Sequence, residues 1–198
     1  MLVTDDAFAR DGALVERCRA AERGGVTCIQ LRLKLAPSRE LLTLARVLRT
    51  ALRIPLLVND RADVALAAGA LGAHLGPEDV PLPLIRGIAP PQFVLGASVG
   101  SLEETAAGRG ADYWGVGPVR GTATKPGAGE PLGLAGFAAL VRRAEGKPCL
   151  AIGGVRPEDV AGILAAGGAG VAVVSGILGA DDVESAAAEY RSAVEAAN

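Results

Sequence analysis

Pro148-Cys-Leu-Ala-Ile-Gly-Gly-Val-Arg-Pro-Glu-Asp-Val-Ala-Gly-Ile-Leu-Ala-Ala166 contains a whole strand-and-helix unit. Pro148–Ile152 is a short apolar run ended by Gly153-Gly154, the pattern of a strand buried on both faces. Pro157 stands where the first turn of a helix tolerates it, and the helical pattern runs to Ala166. Gly170-Val-Ala-Val-Val174 then begins another strand, and Asp181–Ala197 forms the closing helix. The same alternation extends back through the chain. Met1–Thr4, Val26–Lys34, Pro55–Val58, Ala73–Gly76, Phe93–Ser98 and Asp112–Gly117 read as strands. Helices are expected over Gly12–Arg23, from Ser38 to near Leu52, and over Arg61–Ala68, Leu82–Ile88 and Ser101–Arg109, with another from Leu134 to near Ala144. Gly24-Gly25 stops the first, Ser38 is expected to cap the second, and Ser101 with Glu104 has capping-box spacing.

Strand and helix recur roughly every 20 to 30 residues, which predicts parallel βα units. Eight such units in 198 residues fit a minimal (β/α)8 TIM barrel, read as a single domain over 1–198. A flavodoxin-like or Rossmann sheet is the competing arrangement; no GxGxxG follows the first strand, which weighs against the latter.

Composition narrows the function. The chain is 50% hydrophobic but only 3% aromatic, so Ala, Val, Leu, Ile and its 27 glycines must fill the layers. A net charge of −2 gives no electrostatic case for nucleic acid or an anionic membrane. Cys18, Cys28 and Cys149 lack CxxC spacing, which fits neither a disulfide scaffold nor a zinc site and suits a reduced cytoplasmic setting. Met1-Leu-Val-Thr-Asp-Asp6 is unlike a signal peptide, and no apolar run is long enough to span a membrane. The partners expected are small molecules; a homo-oligomer is compatible with the sequence, which does not set the assembly state.

In a barrel of this kind the chemistry sits at the C-terminal ends of the strands. Gln30, Arg32 and Lys34 alternate with Leu31, Leu33 and Leu35, so the polar side chains share one face and converge as an anion site. The alternative is ordinary alternation on a half-exposed edge. The next strand ends in Val58-Asn59-Asp60, and the one after in His74-Leu-Gly-Pro-Glu-Asp79. Asp60 and Asp79 on neighbouring strand tops suit Mg²⁺ bridging a diphosphate, since that ion takes only one or two protein carboxylates. Their simpler roles are a helix N-cap for Asp60 and a turn residue for Asp79. His74 reads as a structural histidine before a catalytic base. Ser98 places a hydroxyl at the barrel mouth, with a helix cap as its plainer role. Gly153-Gly154 and Val174-Ser175-Gly176 end the last two strands, where many barrels bind a phosphate through backbone N–H groups. Tight packing turns are the alternative there. The long loop after Gly117 carries Thr122, Thr124 and Lys125, donors able to grip phosphate, among glycines and prolines that could hinge its closure over the site.

These segments together resemble the thiamine-phosphate synthases. The resemblance rests on Leu2-Val-Thr-Asp5, Ile29–Lys34, Val58–Arg61, Gly72–Asp79, Gly96-Ala-Ser98, Asp112–Pro118, Thr122–Lys125, Ala151–Gly154 and Val173-Val-Ser175, in order along nearly the whole chain. It implies a (β/α)8 barrel that joins hydroxymethylpyrimidine diphosphate to hydroxyethylthiazole phosphate, or its carboxylated form, and releases pyrophosphate with Mg²⁺ as cofactor. By position it assigns the pyrimidine diphosphate to the Gln30–Lys34 segment, Leu31 and Leu33 included, with Asn59, Ser98 and Lys125. Arg32, Lys34, Ser98 and Lys125 would be the catalytic members, and Asp60 and Asp79 would bind the metal. Thr122, Ala123, Thr124, Gly154, Val174 and Ser175 would hold the thiazole phosphate. The chain departs from the family pattern at Leu33, where an acidic residue is usual, at Pro77 (Gln), at Gly100 (His) and at Gly121 (Pro). A related branch of thiazole tautomerases and non-catalytic regulators tends to lose both aspartates and the lysine, all of which stand here. An unrelated phosphosugar barrel enzyme is the remaining reading.

Overall fold

The computed structural model describes residues 1–9, 12–122 and 129–197. Its strands are β1 (Leu2–Val3), β2 (Ile29–Leu31), β3 (Leu56–Asn59), β4 (Gly72–Leu75), β5 (Val94–Val99), β6 (Tyr113–Val116), β7 (Cys149–Ala151) and β8 (Gly170–Val171). They pair in chain order in one eight-stranded sheet, every neighbour parallel. A parallel bridge joins Leu2 to Val173 and the Val3 N–H donates to the Val173 carbonyl at 2.9 Å, so the two sheet edges meet. This closes the (β/α)8 barrel.

The helices are α1 (Leu14–Arg23), α2 (Ser38–Ala51), α3 (Ala62–Ala68), α4 (Leu82–Ile88), α5 (Gly133–Arg143), α6 (Val160–Ala165), α7 (Ser175–Leu178) and α8 (Val183–Ala196). Each main helix covers the barrel with an apolar stripe. On α2 the stripe is Leu41, Ala45 and Leu48, spaced by four and three residues and buried. Each buried leucine removed from water contributes about 1.5–3 kcal/mol. Against these stripes pack the outward strand residues Leu2, Ile29, Leu31, Val58, Leu95 and Trp114. Residues alternating with them, such as Val3, Gln30, His74 and Tyr113, turn to the inside.

Local readings needed revision where side chains took over the backbone. The β2 ladder stops at Leu31. Beyond it, the Arg32 N–H donates to the Thr4 hydroxyl at 2.8 Å and the Lys34 N–H to Asp6 Oδ2 at 2.8 Å. Ser38 is the first residue of α2 rather than its cap, and its hydroxyl accepts from Arg61 at 2.7 Å. The segment expected as an α-helix over Ser101–Arg109 is a 3-10 coil over Glu103–Gly110. The Trp114 indole N–H donates to the Gly108 carbonyl at 2.8 Å, and a Cβ on Gly108 would lie 2.6 Å from that nitrogen. That packing holds Gly108 close against the indole of β6. Glu104, not Ser101, satisfies the segment's start, accepting the Gly100 N–H at 2.6 Å.

Candidate active site

A cavity of about 600 Å³ opens at the strand ends and runs down into the barrel. Gln30, Arg32, Lys34, Asn59, Asp60, Asp79, Ser98, Thr122, Gly154, Val174 and Ser175 all line it, so these sequence-expected residues converge. Ala123, Thr124 and Lys125 lie outside the described residues. Leu31 and Leu33 do not share the cavity: Leu31 is fully buried in the helix-facing core and Leu33 packs against that core. Period-two alternation sends them away from the polar face, which removes their side chains from any substrate contact.

One wall is charged. Arg32 pairs with Asp5 at 2.7 Å, both side chains largely shielded. Lys34 forms a short ion pair with Asp60. Asp6 accepts the Lys34 and Leu35 N–H groups at 2.8 and 3.1 Å, which pins the segment that presents both cations. The partners of Asp5 and Asp6 lie far away in sequence, so no local pattern announces these contacts.

Asp60 is not a helix cap, because Arg61 occupies that position, without a capping bond from its side chain. It adopts a left-handed backbone, φ 61°, and its N–H donates to the His74 carbonyl at 2.8 Å. Asp79 does make the turn: its carboxylate accepts the Gly76 N–H at 2.6 Å. Burial pushes the Asp79 carboxyl above its ordinary value, and the adjacent Asp60 adds to this, while the Gly76 N–H and Lys34 act in the opposite sense. Two carboxylates close enough to hydrogen-bond supply the hard oxygen donors that Mg²⁺ takes in ones and twos, leaving its other positions for water and phosphate. Among the described residues, no group of three or more His, Cys, Asp or Glu side chains could hold a metal.

The opposite wall is neutral. Gly153 and Gly154 have φ of 91° and 63°. A Cβ on Gly154 would lie 2.7 Å from the Gly121 carbonyl oxygen, so only glycine lets the loops after β6 and β7 approach this closely. The base of the β6 connection is tied there: the Val119 and Arg120 N–H groups donate to the Ile152 and Gly153 carbonyls, both at 2.9 Å. Arg120 also grips Asp159 with two hydrogen bonds, 2.9 and 2.5 Å. α7 begins at Ser175.

Between the walls, His74 bridges Tyr113 and Ser98 at 2.9 and 3.0 Å. Tyr113 and Glu104 line the cavity without having been singled out from the sequence. Of the departures, Pro77 and Gly100 line the cavity, whereas a Cβ at Gly121 would meet nothing within 4 Å.

Comparison with known proteins follows this geometry. Residues 1–177 match the family model described as thiamine monophosphate synthase. A thiamine-phosphate synthase of Moorella thermoacetica is 44% identical over 185 residues, 91% of this chain and 88% of that protein. One from Syntrophomonas wolfei is 44% identical over 195 residues, 96% of this chain and 93% of its own. The solved thiamine phosphate pyrophosphorylase of Pyrococcus furiosus superposes with a TM-score of 0.87 at 39% identity, over 99% of this chain and 95% of that one. A 3-hexulose-6-phosphate synthase, at 19% identity and TM-score 0.73, shares the fold.

Proposed function

This chain belongs to the thiamine monophosphate synthase family of transferases, and from that premise we propose that its cavity joins hydroxymethylpyrimidine diphosphate to hydroxyethylthiazole phosphate, or its carboxylated form, releasing pyrophosphate. One observation carries the reading: a single cavity has a wall of two cations and two carboxylates facing a wall of glycine backbone. Two anions of different charge and hardness fit those walls. The diphosphate belongs on the first and the monophosphate on the second.

In this reaction the bond from the pyrimidine methylene to the diphosphate oxygen breaks, and its electron pair leaves with pyrophosphate; the carboxylated thiazole would in addition lose its carboxyl group as CO2 and take up a proton at that carbon. The thiazole nitrogen lone pair then forms the new carbon–nitrogen bond. Arg32 and Lys34 meet the charge that grows on the leaving group, and fixed charges aimed at developing charge are a leading source of rate enhancement. Asp5 holds Arg32 in place, so no reorganisation is needed as the bond breaks. Lys125 completes the cation set by sequence position. Gln30, Asn59 and Ser98 orient the pyrimidine diphosphate. Thr122, Gly154 and Ser175 hold the thiazole phosphate so that its nitrogen faces the methylene carbon. When bound at Asp60 and Asp79, Mg²⁺ supplies further neutralisation of the diphosphate. No side chain has to abstract a proton, in keeping with a lone histidine that is already hydrogen-bonded on both ring nitrogens. The tautomerase and regulatory alternative is disfavoured by the intact Asp60 and Asp79 pair and by the lysine that follows the threonines, Lys125.

The test is to incubate the protein with both substrates and Mg²⁺ and to quantify thiamine phosphate and pyrophosphate. Equal amounts of the two are expected, with neither formed after chelation. Failure to form product with metal present would overturn the reading, and undiminished turnover in chelator would remove Asp60 and Asp79 as a metal site.

A further inference from the structure

Gln30, Tyr113, His74 and Ser98 form a hydrogen-bonded chain from the barrel interior to the cavity wall. Gln30, His74 and Tyr113 are 4%, 6% and 8% exposed. The phenol meets His74 Nδ1 at 2.9 Å, His74 Nε2 meets Ser98 Oγ at 3.0 Å, and the Gln30 amide acts on the phenol as a hydrogen-bonding neighbour. The sheet is cut to fit this chain. His74, Gly96 and Tyr113 are register partners on β4, β5 and β6, and Ser98 pairs with Gly115. A Cβ on Gly96 would lie 2.2 Å from the tyrosine ring and 2.5 Å from His74 Nδ1, and one on Gly115 would lie 3.0 Å from His74 Cε1. Glycine at both places lets side chains from β4 and β6 meet across the strand between them.

Tyrosine, neutral histidine and serine each pass on one donor and take one acceptor, so such a chain has two possible polarities. With the Gln30 amide donating to the phenol oxygen, the phenol O–H points to Nδ1. The imidazole proton then sits on Nε2 and points to Ser98 Oγ, and the serine O–H turns to the cavity. The reverse polarity would make Ser98 an acceptor. The Gln30 amide nitrogen donates to Met1 Sδ at 3.8 Å, and its effect on the phenol is to lower the Tyr113 pKa against burial, as a donor to the phenol oxygen does. Burial raises the Tyr113 phenol above its ordinary value, which keeps its proton available to donate.

We propose that Tyr113 and His74 are positioning residues that hold the imidazole in its neutral Nε2–H form and commit the Ser98 hydroxyl to donating into the cavity. The site thereby selects a substrate that presents an acceptor to Ser98, a pyrimidine ring nitrogen or a diphosphate oxygen. This rests on the pyrimidine diphosphate reading above. A substrate analogue offering a donor there would leave two protons facing each other and bind poorly.

His74 is the single histidine in the sequence, so ¹⁵N-histidine labelling yields one ring spectrum that needs no assignment. At neutral pH the ligand-free protein is expected to show an unprotonated Nδ1 and a protonated Nε2. A protonated Nδ1, or averaging of the two tautomers, would overturn the proposal. Tyr113→Phe keeps the ring and loses the donor. It should give averaged tautomers and lower kcat/KM for the pyrimidine diphosphate by about tenfold, with the KM for thiazole phosphate unchanged. Adding Ser98→Ala to Tyr113→Phe should then cost less than Ser98→Ala costs alone. An unchanged spectrum in Tyr113→Phe, or equal losses for both substrates, would overturn the role of the phenol. Because the spectrum is read without substrate, a chain that shows the Nε2–H form yet makes no thiamine phosphate would sink the proposed reaction and not the polarity of the chain.

Discussion

Lys34 is shared between two charges. Its ammonium pairs with Asp60, and the same group faces the position proposed for the leaving diphosphate. Lys34→Ala therefore acts in two directions. Loss of a cation aimed at developing charge is expected to lower kcat by about 10²–10³. Asp60 meanwhile loses its competitor for a divalent ion, so half-maximal activity should come at a lower Mg²⁺ concentration. A Mg²⁺ titration of wild type and variant at saturating substrates reads both effects, and an unchanged rate would remove Lys34 from the diphosphate wall. The alternation of Gln30, Arg32 and Lys34 was visible in the sequence because a period of two needs no long-range information. What holds that alternation past the ladder's end was not visible. Asp5 and Asp6 reach it from β1's exit, and the long-range pairing of β1 with β2, Val3 beside Gln30, puts those residues side by side. Tyr113 escaped notice for the same reason, since its contact with His74 depends on register across three strands.

At the scale of elements, strand ends were easier to read than the segments after them. Gly153-Gly154 stood out as a strand stop, but the groups that demand glycine there, Pro118 and Gly121 on the neighbouring connection, belong to tertiary packing. Gly154→Ala would force alanine into a left-handed backbone, at about 1–2 kcal/mol, and drive its Cβ to 2.7 Å from the Gly121 carbonyl. The loop must shift, so the KM for thiazole phosphate should rise by about tenfold or more, along with a lower melting temperature. Gly121→Ala is the control, since its Cβ meets nothing within 4 Å and its φ is not positive. That variant should keep wild-type stability. If the two substitutions behave alike in thermal melts and in thiazole phosphate kinetics, close loop approach is not what shapes the neutral wall. The coil over Glu103–Gly110 teaches the converse lesson. Its capping-box spacing was correct to the extent that Glu104 reaches back to Gly100, yet packing against Trp114 tightened the coil from α to 3-10.

For the whole molecule, the regular return of strand and helix was enough to read the barrel, because each unit obeys local rules and chain order equals strand order. The same layering buries the Cys18 and Cys149 thiols and half-buries that of Cys28. Cys18 on α1, Cys28 before β2 and Cys149 at the start of β7 hold no disulfide. Burial pushes Cys18 from a thiol's ordinary 9.0 up to about 12. Burial likewise raises Cys28 to about 11, against the opposing pull of the N-terminal ammonium, and Cys149 to about 11, against that of Lys147. A folded-state pKa above the unfolded one means the native state binds the proton more tightly. Its stabilising effect is complete below the unfolded value and disappears as pH climbs to the folded value. Each thiol thus lowers stability by up to about 1.4 kcal/mol per pH unit in that window. Acting together, three thiols remove several kcal/mol, against about 5–15 kcal/mol for a typical fold. The melting temperature should be nearly flat from pH 7 to 9 and fall steeply between 9 and about 11. At pH 8 a thiol reagent should reach the buried Cys18 and Cys149 only as fast as the chain opens, and all three thiols of the denatured chain at once. Reaction of native Cys18 or Cys149 at the rate of free cysteine, or a melting temperature level up to pH 11, would show that the shell admits water where the packing says it does not.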